Sequence, residues 1–370
     1  MKYNIKQIEP NFDTKEKDFV NKVLKSTYIT EGRITSKFEN QIKKITNSKY
    51  AIAVNNWTSG LFCCAKSLEL KPGDEIIIPN ATFAACVSSM ILAGLKILLC
   101  DVNKDNYSLD LKMAEKLVTK KTKAIMIVHL FGECSEINKI KTFAKKHKLK
   151  IIEDSAQSFG GKYKNKKLGT FGDVGGFSFY GNKIITTGEG GVAITDNQSI
   201  AKKIKKIKNY GRSVKGIYEH ESVGYNFKFN DICASIGLAQ LSKLQSFIRK
   251  KKKIDKFYRK KLSKINQIKF SQSIEGADPV YWFVVIYVND KKKLKKFLQK
   301  KGIETRDFFL PMNMQKCFKK SRSIVNKNDK FLNSKELYKT GICLPSSVNL
   351  NKKKLSFITS AIKKYYENRS

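Results

Sequence analysis

Acidic residues are scarce in this chain of 370 residues: 32 Asp and Glu stand against 73 Lys and Arg, a formal net charge of +41. Histidine is scarcer still, with only His129, His147 and His220, which excludes a multi-histidine metal site. The eight cysteines form no Cys-x-x-Cys pair and lie mostly in apolar segments, so they read as reduced, buried small hydrophobes and not as zinc ligands or a disulfide framework. Long apolar runs are also missing. The longest uncharged stretch, Ile76 to Leu95, is interrupted by Pro79, Asn80, Thr82, Ser88 and Ser89, too polar for a membrane span. The N-terminal MKYNIKQIEPNFDTKEKDF alternates charge and lacks an apolar secretory core. A soluble, cytoplasmic protein is expected.

The basic excess raises the possibility of a nucleic-acid partner, but its distribution points elsewhere. In AKKIKKIK (201–208) and KKKLKKFLQKK (291–301), apolar residues recur at helical spacing and lysines fill the remaining face. Such faces are solvated helix surfaces, and no aromatic-interleaved basic motif accompanies them, so no specific nucleic-acid partner is expected. An anionic small molecule suits the charge better.

Between residues 50 and 195, β-rich runs alternate with helical patterns: AIAV (51–54), EIIIP (75–79), KILLCDV (96–102), AIMIVHL (124–130), KIIED (150–154), GGFSFY (175–180) and GGVAIT (190–195). Helix-length segments separate the first five, which predicts an α/β fold with a mainly parallel sheet flanked by helices. The last two runs are joined too closely for a helical crossover, predicting an antiparallel member or a strand on the rim. A long helical pattern runs from Asn230 to about Leu262, followed by YWFVVIYV (281–288), a helix near 291–301, ETRDFFL and a final helix near 353–366. The expected division is a large domain, residues 1–245, and a smaller C-terminal α+β domain, residues 246–370.

Four stretches carry candidate chemistry. In NNWTSG (55–60), Thr58 and Ser59 open a helix whose N–H groups suit a phosphate, although taken alone plain capping is the better reading. In EDSAQ (153–157), Asp154 ends a strand. In FSFYGNKIITTGEGG (177–191), Ser178 and Lys183 sit in a region where Lys183 and Glu189 are the only charged residues from Val174 to Thr195. That scarcity suggests an interior, and a buried lysine has a depressed proton affinity and becomes a usable amine nucleophile. In GYNFKFND (224–231), Asn226 precedes the long helix, where a structural loop residue is the default. Order is more telling than any member. A phosphate-suited turn, a carboxylate at a strand end and a lysine after a later strand are the anchor, the ring-nitrogen partner and the amine that pyridoxal phosphate requires.

The stretches KPGDEIIIPNATFAA (71–85), VHLFGE (128–133), IIEDSAQSFGGKY (151–163), GDVGGFSFYGNKIITTGEGGVAIT (172–195), VGYNFKFNDICASIGLAQL (223–241) and GIETRDFF (302–309) span nearly the whole chain and resemble the DegT-type sugar aminotransferases. These are fold-type-I pyridoxal phosphate enzymes that aminate keto sugars attached to nucleotides. FSFYGNK, the YWF segment and GIETRDFF look most like the perosamine synthases within that family. The resemblance implies Lys183 as the Schiff-base lysine, Asp154 as partner of the pyridine nitrogen, Gln157 on the ring hydroxyl and Phe83 stacked on the ring. It implies Thr58, Ser59 and Ser178 on the phosphate, with Asn226 reaching in from a second subunit of a homodimer or larger homo-oligomer. L-Glutamate would be the amino donor and pyridoxamine phosphate the intermediate. Arg306 and Arg212 suit a diphosphate or donor carboxylate by their fork geometry, and equally suit surface ion pairs.

Two positions depart from the family pattern. Trp57 stands where glycine is usual, and either points away from the cofactor or alters the approach of the backbone. Asn313 stands where the perosamine-synthase pattern has histidine, which bears on the sugar. The expected reaction is amination of GDP-4-keto-6-deoxymannose to GDP-perosamine; a UDP- or dTDP-linked sugar, or amination at C3, is the alternative on the same scaffold. A basic nucleic-acid or membrane-surface binding protein is the alternative of another class.

Overall fold

A computed structural model describes residues 3–213, 218–326 and 328–367. Nine strands precede the long helix: β1 (Tyr50–Val54), β2 (Glu75–Pro79), β3 (Lys96–Cys100), β4 (Thr122–Val128), β5 (Lys150–Asp154), β6 (Lys162–Tyr163), β7 (Lys166–Lys167), β8 (Val174–Ser178) and β9 (Gly191–Thr195). Five follow it: β10 (Lys269–Phe270), β11 (Ala277–Asp278), β12 (Val284–Tyr287), β13 (Arg306–Asp307) and β14 (Gly341–Leu344).

The main sheet has the order β1-β9-β8-β5-β4-β2-β3. Pairings from β8 through β3 are parallel, while β9 pairs antiparallel with both β8 and β1. The expected antiparallel member is therefore β9, and it lies inside the sheet, leaving β1 on the rim. Strands β2 and β4 are buried almost throughout, as continuous Ile-rich runs covered on both faces must be. On one face, helices Trp57–Ser67 and Ala84–Leu92 pack together around Leu61, Val87 and Met90. On another, helix Arg33–Thr46 and the long helix enclose Phe38, Ile42 and Phe179.

The long helix runs Asp231–Leu262, started by Asn230, whose side chain accepts from Cys233 N. Asp231 also accepts from the backbone N–H groups of Gly32, Ile34 and Thr35, capping helix Arg33–Thr46, which has no side-chain cap of its own. A division at residue 245 cuts through this unbroken helix. Moreover, Ile5 bridges to Ile303 and joins Ile254, Tyr258 and Ile358 in the core of the C-terminal unit, so the chain's start belongs with that unit by packing. The C-terminal unit is built on an antiparallel sheet ordered β10-β12-β14-β13. Its strands are shorter than YWFVVIYV and ETRDFFL suggest, because Trp282, Phe308 and Phe309 leave the ladders to pack against the first unit. Among the described residues no helix is long and apolar enough to cross a membrane.

Candidate active site

The carboxyl ends of β1, β2, β5 and β8 point to one edge of the main sheet, where ligands of parallel α/β sheets bind. A cavity of about 220 Å³ opens there, lined by Trp57, Thr58, Phe83, Asp154, Gln157, Ser178, Asn182, Lys183, Trp282, Arg306 and Phe309 among others. Residues from four strand ends and from the C-terminal unit thus share one space.

Asp154 ends β5 and is 6% exposed. Its Oδ1 accepts from Trp57 Nε1 at 2.9 Å and Ala156 N at 3.0 Å, and its Oδ2 accepts from Cys86 Sγ at 3.0 Å. Gln157 accepts from Phe131 N through Oε1 at 2.6 Å, which turns its amide N–H₂ away from that backbone as a donor for the cavity. Beside Gln157, Gly132 takes φ +92°, and a Cβ there would lie 2.2 Å from Val280 O and 3.0 Å from Gln157 O. Only glycine permits this close turn.

Lys183 follows β8. It is half-buried and lines the cavity, and desolvation lowers its pKa to about 8, with Asp154 pulling up and Arg306 pushing down. Its Nζ lies 4.0 Å from the centre of the Trp282 ring, so the ammonium form faces a π cloud, with the Asp154 carboxylate in the same cavity. Trp282 Nε1 in turn donates to Asn182 O at 2.7 Å, tying the lysine's own loop to the C-terminal unit. Phe131 and Phe309 stack at 5.2 Å, with Trp282 stacked on both, forming an aromatic wall beside the amine.

Of the sequence-predicted residues, Lys183, Asp154, Gln157, Thr58, Phe83, Ser178 and Arg306 come together in the cavity. Ser59 does not line it: its hydroxyl donates to Asn55 Oδ1 and Asn56 O as part of the helix start. Asn313 is held by Asn80, exchanging Asn80 Nδ2 to Asn313 Oδ1 at 3.0 Å and Asn313 N to Asn80 Oδ1 at 2.9 Å, again away from the cavity. Asn226 is exposed outside the cavity of its own chain, bridged to Asn209. Arg212 lines a separate, larger cleft of about 1140 Å³ with Lys202, Lys206 and Lys228. That cleft is bigger but holds neither the buried amine nor the strand-end carboxylate, so the smaller cavity is the chemical one. Trp282, Asn182 and Phe309 were not singled out as site residues in the sequence, although YWF, FSFYGNK and GIETRDFF contain them.

The donor set fits pyridoxal phosphate. The Lys183 amine, the Asp154 carboxylate, the Gln157 amide, the hydroxyls of Thr58 and Ser178 and the helix start at Trp57 match an aldehyde, a ring nitrogen, a phenolic oxygen and a phosphate, and Glu189 and Tyr180 line the same cavity. Asn182 Oδ1 is buried here without a hydrogen-bond partner, an acceptor left for a ligand.

A profile of the DegT/DnrJ/EryC1/StrS aminotransferase family matches residues 10–363. The chain is 35% identical over 373 residues to GDP-perosamine synthase of Escherichia coli O157:H7, covering 100% of both chains. It is 30% identical to GDP-perosamine synthase of Vibrio cholerae, over 97% of this chain and 98% of that one. Among solved structures, Helicobacter pylori PseC, an aminotransferase involved in the biosynthesis of pseudoaminic acid, superposes with a TM-score of 0.92 at 26% identity, covering 100% of both.

Proposed function

Because the chain belongs to the DegT/DnrJ/EryC1/StrS aminotransferase family and is a pyridoxal phosphate-dependent sugar aminotransferase, we propose that it converts GDP-4-keto-6-deoxymannose to GDP-perosamine with L-glutamate as donor. The observation that carries the reading is the meeting of Lys183, Asp154 and Gln157 in one cavity. Likeness to two GDP-perosamine synthases along almost the whole chain supports the choice of sugar.

Pyridoxal phosphate supplies an electron sink and a carrier for the amino group. Asp154 would face the ring nitrogen and keep its proton by charge pairing, Gln157 would donate to the ring oxygen, and Thr58 and Ser178 would hold the phosphate. Lys183, with its pKa lowered to about 8, is neutral in about a tenth of molecules at pH 7, far more than an ordinary lysine, and its Nζ can take a proton from the donor carbon and return it. Asn226, exposed outside its own cavity, would serve the cavity of a second copy in a homodimer.

The test is product analysis. Purified protein with pyridoxal phosphate and L-glutamate is offered GDP-, UDP- and dTDP-linked 4-keto-6-deoxy sugars, and products are identified by mass and by NMR of the aminated carbon. Amination at C4 of the GDP sugar is expected. Turnover only of a UDP or dTDP sugar, or an amine at C3, would sink the proposed substrate.

A further inference from the structure

Trp57 answers the question its bulk raises. Its side chain, 4% exposed, points neither to solvent nor away from the site but under the cavity floor, where a Cβ on Gly176 would lie 2.2 Å from Trp57 Cη2 and one on Gly60 2.4 Å from Cε3. Two glycines, one on β8 and one on the indole's own helix, leave the space it fills. A phenylalanine would fill most of that space. What it lacks is the N–H, and this N–H is aimed at Asp154 Oδ1.

The remaining donors to Asp154 show why the contact matters. Ala156 N shares Oδ1, and Oδ2 receives only the thiol of Cys86, a weak donor. No arginine or lysine makes an ion pair with Asp154 among the described residues. The indole is therefore the strong side-chain donor that fixes the plane of this carboxylate. We propose that Trp57 is a positioning residue, holding Asp154 in the orientation in which it meets the cofactor's ring nitrogen. The proposal rests on the role assigned to Asp154 above.

Only two tryptophans exist in the chain, so their indole N–H signals are separable by NMR. In ¹⁵N-labelled apoprotein, Trp57→Phe identifies the Trp57 signal by its loss. Asp154→Asn is then expected to shift that signal while leaving the signal of Trp282, which donates to a backbone carbonyl. In the loaded enzyme, Trp57→Phe is expected to lower kcat about tenfold to a hundredfold with the KM for glutamate unchanged, since orientation is lost and donor binding is not. An indole signal indifferent to Asp154→Asn, or full turnover in Trp57→Phe, overturns the proposal and leaves the amination reading standing. Where Trp57→Phe folds poorly, Trp282→Phe identifies the Trp57 signal as the one that remains, and the Asp154→Asn comparison still reads it. Failure of the wild type to transfer an amine would instead remove the amination reading, a result the apoprotein signal does not depend on.

Discussion

The cavity at the edge of the main sheet contains a half-buried lysine and the joint where the long helix meets the C-terminal unit a fully buried one, and the two have opposite fates. Lys183 faces a cavity, beside a carboxylate and an aromatic ring. Lys251 is 3% exposed and donates to Trp282 O at 2.9 Å and Ser346 O at 2.6 Å, with no carboxylate against it. Burial lowers the pKa of Lys251 to about 7, below even that of Lys183 at about 8. Depressed proton affinity alone therefore does not mark a nucleophile. Access does. Both lysines act on Trp282, one through the ring face and the other through the backbone, so one tryptophan joins the chemical amine to the structural one.

The largest expected contrast is in turnover. Lys183→Ala should lose amino transfer by about a thousandfold or more, whereas Lys251→Met should keep kcat within about tenfold; steady-state assays with glutamate separate them. Comparable losses in both variants would erase the distinction drawn here.

The next contrast lies in stability. Lys251 has a folded-state pKa of about 7 against an ordinary 10.5, so between these values the unfolded chain binds the extra proton and stability rises with pH. Relative to Lys251→Met, the wild type should gain about 2 kcal/mol between pH 7 and pH 9, and little between pH 5 and pH 6, measured as urea midpoints across pH. Parallel pH profiles in the two proteins would show that the ammonium is not desolvated.

A smaller effect concerns capture of the cofactor. Reaction of apoprotein with pyridoxal phosphate needs the neutral amine of Lys183, so its rate should rise through about pH 8 and level off above, followed by growth of the visible absorption band. The smallest is expected from Trp282→Leu. Removing the ring face costs the ammonium form about 0.5–2 kcal/mol, so the midpoint of that profile should move down by about one pH unit. A midpoint that moves upward would mean that the ring acts mainly as a hydrophobic cover.

The same comparison explains what could be read in the sequence. Lys183 stood out because charge is scarce around it, and Asp154 because it ends a strand with a clear apolar pattern; both signals are local, and both residues line the cavity. Lys251 lies in the basic run RKKKK, where helical spacing from Phe247 to Ile254 puts it on the buried face but says nothing of what receives its ammonium. Its environment is set by Trp282 and Ser346, 31 and 95 residues away. Asn313 was equally illegible, since its partner Asn80 is 233 residues distant. Trp57 was visible as bulk, but the direction of its indole depends on the space left by Gly176 in the distant strand β8. The alternation of strands and helices was legible because its period is local; the insertion of β9 inside the sheet was not, because pairing order is a long-range choice.

That insertion also sets an order of assembly. Strand β1 stands at the rim of the sheet and its one neighbour there is β9, with Val54 opposite Gly191. During synthesis, at roughly 5–20 residues per second, β1 leaves the ribosome on the order of ten seconds before its neighbour exists. A nascent chain stopped short of Gly191 has made the strand-end carboxylate and even the lysine, but not the strand that pairs with β1 ahead of the helix start at Trp57.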